Sequence, residues 1–568
     1  MRAGVLVGRV GGLAVALGVG AAVFGGAVAG ADTGDGSPVA TSASTSSARS
    51  TQHAPRRSSA PSSLSARHAG PSSAAAKVAV KTVNDRVPSA SAQPTVALPT
   101  AATVRQPAVR TAVARAAAAV TQPVLLGPSG VPIESTKYVN TVMNLYVRQG
   151  STPPFADPQP DVIFTPEGLY PITGVKSLPL NTSVDQGLTI LSRTLAGIPD
   201  NTYTTVFGYS QSAIIGSLLE SGFIPPNSPY PPPTIPAGLQ DFINFVFVGN
   251  ELNPNGGLLS RFTGLQLPSL GLTFYGPTPE NAYPTTNYTL EYDGFADFPR
   301  YPLNFLADLN ASLGIAFVHT QYANPNYVTQ AMVTPISAGG TAIQLPTTDP
   351  SQQYFFMPTE NLPLVAPLRF IPFIGNPLAD LIQPALKVLV DLGYGDPAHG
   401  FSSATQPYAN VLVPFGVFPE VDPAEVLGRL GAGLQQGVTD FIADFGPGGS
   451  VSSELSSMAS FLAAPGTAGQ NLVTSIATAI SGALASAYSA ILPTLDILNA
   501  IVTVLPAYSY TLFMEGIQQA LSGDVVNGLV NAIGRPLAAN VGIITVAGLV
   551  EALVIGQAAA GVLGVNLS

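Results

Sequence analysis

Cysteine is missing from all 568 residues, which excludes disulfides, thiolate zinc sites and a cysteine nucleophile in any compartment. Charge is scarce as well: Asp, Glu, Lys and Arg make up 10% of the chain, against 46% hydrophobic residues. The charges also lie unevenly. Residues 1–122 hold 12 Lys and Arg against 3 Asp and Glu, a net of +9, while the remainder is −19 and the whole chain −10. An acidic body of this kind repels nucleic-acid phosphates and excludes nucleic acid as a partner. Histidine is rarer still, with His53, His68, His319 and His399 the full set. Beyond residue 420 the only basic residues are Arg429 and Arg535.

The N-terminus, MRAGVLVGRVGGLAVALGVGAAVFGGAVAGAD, sets Arg2 and Arg9 against an apolar run from Val10 to Phe24, then Ala29-Gly30-Ala31 before Asp32. That is the pattern of a signal peptide over 1–31, with an uncleaved anchor as the alternative. Both put the body outside the cytoplasmic membrane, secreted or in the cell envelope. Residues 32–122 are rich in Ser, Ala and Pro, nearly free of aromatics and without apolar periodicity. Such a stretch cannot offset its ordering entropy, so a disordered basic linker is expected, either a spacer or a tether to an anionic surface.

Between 123 and 420, strand-like and helix-like runs alternate. DVIFTP (161–166), YTTVFG (203–208), FINFVFVGN (242–250) and YTLEYDGFADFP (288–299) read as strands with their turns. KYVNTVMNLYVRQG (137–150), TSVDQGLTILSRTLAGI (182–198, capped by Thr182 or Ser183), SAIIGSLLESG (212–222, stopped by Gly222) and PLNFLADLNASLGIAF (302–317) read as helices. The alternation predicts an α/β domain around a mostly parallel sheet. Residues 421–568 read as an apolar helical module, with helices over 472–492 and 496–505. It is expected to pack on the body or lie at a lipid surface. A span needs about 20 predominantly apolar residues, and 536–568 is interrupted by Glu551 and several glycines.

Gly208-Tyr209-Ser210-Gln211-Ser212 joins YTTVF to AIIGSLL. This is the context of a nucleophile elbow, G-x-S-x-G, in which a strand turns sharply into a helix and lifts the serine clear of the sheet. Ser212 stands where the second glycine would be, at the expense of some crowding. The Gln211 N–H at the head of the helix is the expected oxyanion donor, aided by the helix dipole. A second donor is expected from the loop in DVIFTPEG, the backbone N–H of Thr165 or Glu167. A serine needs a base. His53 and His68 fall in the linker, and the order serine, acid, histidine favours His319 over His399, which sits in a Gly/Pro turn beside Asp396. YDGFADFP offers two acids. Asp297, after a glycine that can turn the chain, ranks first, and Asp293 is the alternative, expected otherwise to brace the turn through its backbone.

GYSQS, YDGFADFP, YPLNFLADLNASLG leading to HTQY, and TENLPLVAPLR with GNPLADLIQPALKVLVDLGYGDP together resemble the PE-PPE domain over roughly residues 135–400. That resemblance implies an α/β-hydrolase fold similar to cutinases and lipases, with a Ser-Asp-His triad at Ser210, Asp297 or Asp293, and His319. It implies neither a metal nor an organic cofactor. It also implies an exported esterase or lipase-type acyl hydrolase, or an acyltransferase placing acyl chains on trehalose-type lipids; a decayed, non-catalytic envelope protein is the rival. Against that family's pattern, a signal peptide and linker are expected here where a PE or PPE module would stand. The runs FIPPNSPYPPPTIP and RFIPFIGNPL are expected to form an apolar acyl groove or lid.

Overall fold

Short runs of β-branched and aromatic residues line up side by side in one direction. The computed structural model describes residues 121–148, 159–402, 408–454 and 492–562. In it, β1 (Thr121–Leu125), β2 (Asp161–Val162), β3 (Tyr203–Tyr209), β4 (Ile243–Val248), β7 (Thr285–Leu290), β8 (Ile343–Leu345) and β9 (Gln352–Met357) form a sheet of order β2-β1-β3-β4-β7-β9-β8. Every pairing is parallel except β8 with β9 at the edge. A separate hairpin pairs β5 (Gln266–Leu267) with β6 (Leu272–Thr273). The α/β expectation holds. The signal peptide, all but the last two residues of the linker, and all but Leu492 of the helix expected over 472–492 lie outside the described residues; β1 starts at Thr121, within the last two residues of the stretch read as linker.

Both faces of the sheet are covered, because successive strand residues point to opposite sides. Phe245 and Phe247 of β4 face one cluster with Ile214 and Leu218, while Val246 and Val248 face another with Tyr146 and Tyr322. The helices that supply these layers start where polar side chains satisfy their free amides. In α1 (Thr136–Val142) Ser135 accepts from the Tyr138 N–H at 3.1 Å, and a π turn over Met143–Val147 prolongs it. In α2 (Leu180–Ala196) the first residue follows Pro179, so neither Thr182 nor Ser183 is the cap. Ser183 is instead buried and bonded to Gln211 Oε1 and the Gly168 N–H, tertiary partners that the local pattern could not reveal. α3 (Gln211–Ser221) stops at Gly222 as expected, and α4 (Phe305–Phe317) starts at an Asn304 cap.

Among the described residues, the C-terminal helices share the core of the body. α5 (Gly375–Asp391) carries α6 (Pro423–Asp444), and after them come α7 (Leu505–Leu521) and α8 (Val525–Val562). Ala538, Ala539 and Ile543 of α8 belong to the same buried cluster as Phe262 and Phe298 of the body. Tyr170 donates to Asp496 Oδ2 at 2.7 Å, and the Arg535 guanidinium lies 5.3 Å from the Phe415 ring centroid while Nη1 reaches Glu515 at 2.7 Å. Glu551, read from sequence as an interruption, continues the helix and accepts from Thr494 Oγ1 at 2.6 Å. Leu492–Leu521 and Val525–Ala558 are long and apolar enough to cross a membrane by length and composition.

Phe262 joins the body to α8: its buried ring packs against Phe274, Phe298 and Phe415 at centroid distances of 6.2, 5.7 and 5.1 Å. Phe262→Ala is expected to lower unfolding free energy by about 3–5 kcal/mol, measured by urea denaturation of the full chain. A loss below about 1 kcal/mol would mean that this junction is not packed as described.

Candidate active site

The turn between β3 and α3 is bent in a way few side chains tolerate. Ser210 adopts φ 58° and ψ −121°, a left-handed conformation that costs a non-glycine residue about 1–3 kcal/mol and persists only where its surroundings hold it. Its N–H donates to the Val248 carbonyl at 3.1 Å, tying the turn to β4. At Gly208 a Cβ would lie 2.6–2.8 Å from backbone atoms of Ser212 and Ala213, so this position requires glycine. Ser212 does more than fit. Its Oγ accepts from the Tyr209 N–H at 2.7 Å and donates to the Tyr209 carbonyl at 3.0 Å, clamping the turn where a second glycine could not.

Ser210 Oγ lies 2.8 Å from His319 Nε2. His319 opens a short 3₁₀ turn at the end of α4. Both oxygens of Asp293 lie 2.9 Å from His319 Nδ1, which orients the ring with Nε2 toward the serine. Phe295 meets the imidazole edge-on at a centroid distance of 4.8 Å. Tyr322 donates to Asp293 Oδ2 at 2.8 Å and accepts from the Leu290 N–H at 2.8 Å, while Phe295 N–H donates to Asp293 Oδ1 at 2.9 Å. Ser210, His319 and Asp293 are 2%, 1% and 0% exposed. In so dry a site hydrogen bonds to ionised groups gain strength.

The preferred acid from sequence is therefore corrected. Asp297 does not reach the imidazole: its Oδ2 accepts from the Tyr292 N–H at 2.9 Å, bracing the turn that was assigned to Asp293. Burial pushes the Asp297 carboxyl well above its ordinary range. The physical reason lies in Tyr292, whose φ of 65° turns the chain one residue before Asp293 and aims that side chain at α4. Gly294 serves this turn by close approach, since a Cβ there would lie 1.9 Å from the Ala311 carbonyl of α4. From behind, α5 holds the strand end: Lys387 Nζ donates to Glu291 Oε1 at 3.2 Å and to the Tyr292 hydroxyl at 2.7 Å. His399 pairs with Asp396 at 3.2 Å and stacks on Phe401, away from Ser210.

Gln211 contributes more than a backbone amide. Its N–H is among the first of α3, which have no acceptor within the helix. Its side chain donates to Ser129 Oγ at 2.9 Å and to the Gly168 carbonyl at 2.8 Å, joining the elbow to the loops after β1 and β2. Because β1 is the strand beside β3, its loop and Ser129 lie nearer the elbow than the sequence reading allowed. The hydroxyl of Thr165, whose backbone N–H was a candidate second donor, donates to Glu167 Oε1. Three buried or part-buried carboxyls lie in this region and went unnoticed as side chains. Burial raises Glu134 to about 7, Glu167 to about 8 and Glu251 to about 7. Glu251 could have been found, because GNELNPN directly follows a strand neighbouring the elbow, and sites in α/β sheets gather at the carboxyl ends of strands.

Of the two apolar runs expected at the site, one is near it and one is not. FIPPNSPYPPPTIP packs along α2, where Ile224, Pro225 and Pro232 with Asp185 and Leu188 line a cleft of about 200 Å³ that includes none of Ser210, His319 or Asp293. RFIPFIGNPL brings the exposed Phe370 against Phe317, two residues before His319, with ring centroids 6.1 Å apart.

Fold and site define the chain as an α/β protein of the α/β-hydrolase type, with a serine, an imidazole and a carboxylate in hydrogen-bonded series. Residues 156–395 match the family model of the PE-PPE domain, and the chain belongs to that family. It is 44% identical over 469 residues to the uncharacterized PPE family protein PPE28 of Mycobacterium tuberculosis, spanning 79% of this chain and 67% of that one. It is 37% identical over 317 residues to Esterase PE16 of the same organism, covering 55% of this chain and 54% of the relative. Similarity to the SL1278 acyltransferase Chp1, again from M. tuberculosis, is 28% over 267 residues, 46% of this chain and 60% of that protein. No solved structure matches.

The contrast between the two aspartates is testable by fluorophosphonate labelling of Ser210. Asp293→Asn is expected to slow labelling by about 10⁴-fold, the effect of losing the carboxylate behind a catalytic imidazole. Asp297→Asn is expected to change the labelling rate less than about tenfold while lowering the thermal midpoint, because it alters a brace. The reverse ranking would return the acid role to Asp297.

Proposed function

We propose that this chain is an exported serine esterase or lipase-type acyl hydrolase whose substrates are acyl esters of lipid character. The observation that carries this reading is the 2.8 Å contact from Ser210 Oγ to His319 Nε2, with both Asp293 oxygens on Nδ1, at a strained strand-to-helix turn. Ser210 Oγ attacks the ester carbonyl carbon as His319 Nε2 takes its proton, and Asp293 stabilises the imidazolium that forms. The oxyanion is met by the Gln211 N–H at the head of α3. His319 then returns the proton to the departing alcohol, leaving an acyl-serine. Water attacks the acyl-serine by the same route in reverse.

Support for an apolar acyl chain comes from the edge of the sheet where the strands end. Ile133, Phe164 and Phe370 are 74%, 59% and 53% exposed on the loops after β1 and β2 and on the segment beside α4. Because Ser210 is 2% exposed, an ester needs part of its surroundings to move on entry. The apolar exposed residues of α7 and α8 fit association of the protein with a lipid surface of the cell envelope. A second reading is acyl transfer to a sugar hydroxyl of a trehalose-type glycolipid. It is favoured by the similarity to the acyltransferase Chp1, and it uses the same acyl-serine with a different attacking group.

Mass spectrometry after fluorophosphonate treatment is expected to find Ser210 modified, and Ser210→Ala is expected to lower hydrolysis of p-nitrophenyl esters by on the order of 10⁶-fold. An unlabelled but folded protein would favour a non-catalytic envelope protein. Supplying a labelled acyl donor with and without trehalose separates the two chemistries: label confined to free acid supports hydrolysis, and label on the sugar supports transfer.

A further inference from the structure

The triad accounts for one of two side chains that touch the nucleophile. Ser210 Oγ also lies 3.2 Å from Glu251 Oε1. Glu251 is 2% exposed on the loop after β4, and that loop is fixed on both flanks. Asn250 accepts from the Leu252 N–H at 2.9 Å and donates to Asn287 Oδ1 at 3.0 Å. Asn253 donates to the Ala296 carbonyl at 3.0 Å, and the Glu251 carbonyl accepts from the Leu259 N–H at 3.1 Å. The carboxyl is therefore held against the serine by the same framework that supports Asp293.

A serine hydroxyl has one proton to give. If Glu251 were ionised, its carboxylate and His319 Nε2 would compete for that proton, and a serine bonded to the carboxylate would be turned away from its base. If Glu251 is uncharged, its O–H donates to a lone pair of Ser210 Oγ, and the serine proton is free for Nε2. Only the uncharged form matches donors to acceptors around the oxygen.

Resting on the triad reading above, we propose that Glu251, in its uncharged form, is a fourth catalytic group that donates a hydrogen bond to Ser210 Oγ and directs the serine proton to His319. Glu251 neither gains nor loses its proton across the cycle. During acylation the Oγ–carbon bond forms, the carbonyl π pair moves to oxygen, and the serine proton passes to Nε2. When the acyl-serine is cleaved, the Glu251 O–H stabilises negative charge on the departing Oγ until His319 returns the proton.

The groups whose charges act on Glu251 are His319 and Asp293 on the triad side, with Glu167 facing it from the loop after β2. Burial is the largest influence, holding the carboxyl up at about 7, and Asp293 adds to it while His319 and the Ser210 hydroxyl oppose it. The active form is thus present below pH 7 and is lost as the pH rises through that value.

The test compares the full-length parent with Glu251→Gln and Glu251→Ala, following fluorophosphonate labelling of Ser210 from pH 5 to pH 9 with folding checked by circular dichroism. The parent rate is expected to fall by about tenfold from pH 6 to pH 8, as one titrating group near 7 requires. Gln keeps an N–H donor and cannot ionise, so E251Q is expected to match the parent within about threefold at pH 6 and to lose the alkaline fall. E251A, which lacks the donor, is expected to be slower than E251Q at every pH. Retention of the parental alkaline fall in E251Q would overturn the proposal, as would an E251Q rate at pH 6 as low as that of E251A. Should E251Q not fold, Glu251→Asp withdraws the donor, and a parental labelling rate at pH 6 in that variant would equally overturn it. If Ser210 of the folded parent is unlabelled at every pH, the triad reading itself fails and takes this proposal with it; labelling of the parent with no effect of Glu251 variants removes this proposal alone.

Discussion

The backbone at Ser210 is held in a conformation that an isolated peptide would leave, and much of the surrounding structure serves to hold it there. Gly208 lets β3 approach the first turn of α3, Ser212 closes the turn with its own hydroxyl, and the Val248 carbonyl fixes the Ser210 amide to the next strand. Gln211 extends the grip to Ser129 and Gly168. The cost of one strained residue is small beside the burial of β3, which lies between β1 and β4 with both faces covered. The parallel sheet supplies the rest. Its strands end on one edge, so the loops after β3, β4 and β7 bring Ser210, Glu251 and Asp293 together although they are far apart in the chain.

Carboxyl groups dominate the surroundings of the serine, and burial separates their roles. Asp293 accepts from His319, Tyr322 and backbone amides. Asp297 has one backbone partner for Oδ2 and a raised pKa, while Glu251 and Glu167 are likewise held toward the neutral form by desolvation.

The low charge of the chain has a structural counterpart in its last third. α8 packs Ala538, Ala539 and Ile543 into the core of the α/β body while Val526, Ile533 and Leu537 remain exposed. The same helix thus belongs to the body on one side and presents apolar surface on the other, which is why its composition alone reads equally as core, lipid-facing or membrane-crossing.

The local signals were readable from the amino-acid order because they are made of near neighbours. The elbow at 207–214, the stop at Gly222, the alternation of strands and helices and the choice of His319 over His399 all follow from short patterns and from the scarcity of histidine. The acid was not readable. Asp293 and Asp297 are four residues apart in one turn, and which of them faces His319 depends on the φ of Tyr292 and on how Gly294 seats against α4. The contacts of Ser183, Ser129 and Glu251 with the elbow were out of reach for the same reason, since they join residues 28, 82 and 41 positions apart. Sequence by itself determined the class of fold and the serine and histidine; the tertiary structure decided the carboxylate and the further acid at the serine, because only sheet order and loop packing bring distant side chains within hydrogen-bond reach.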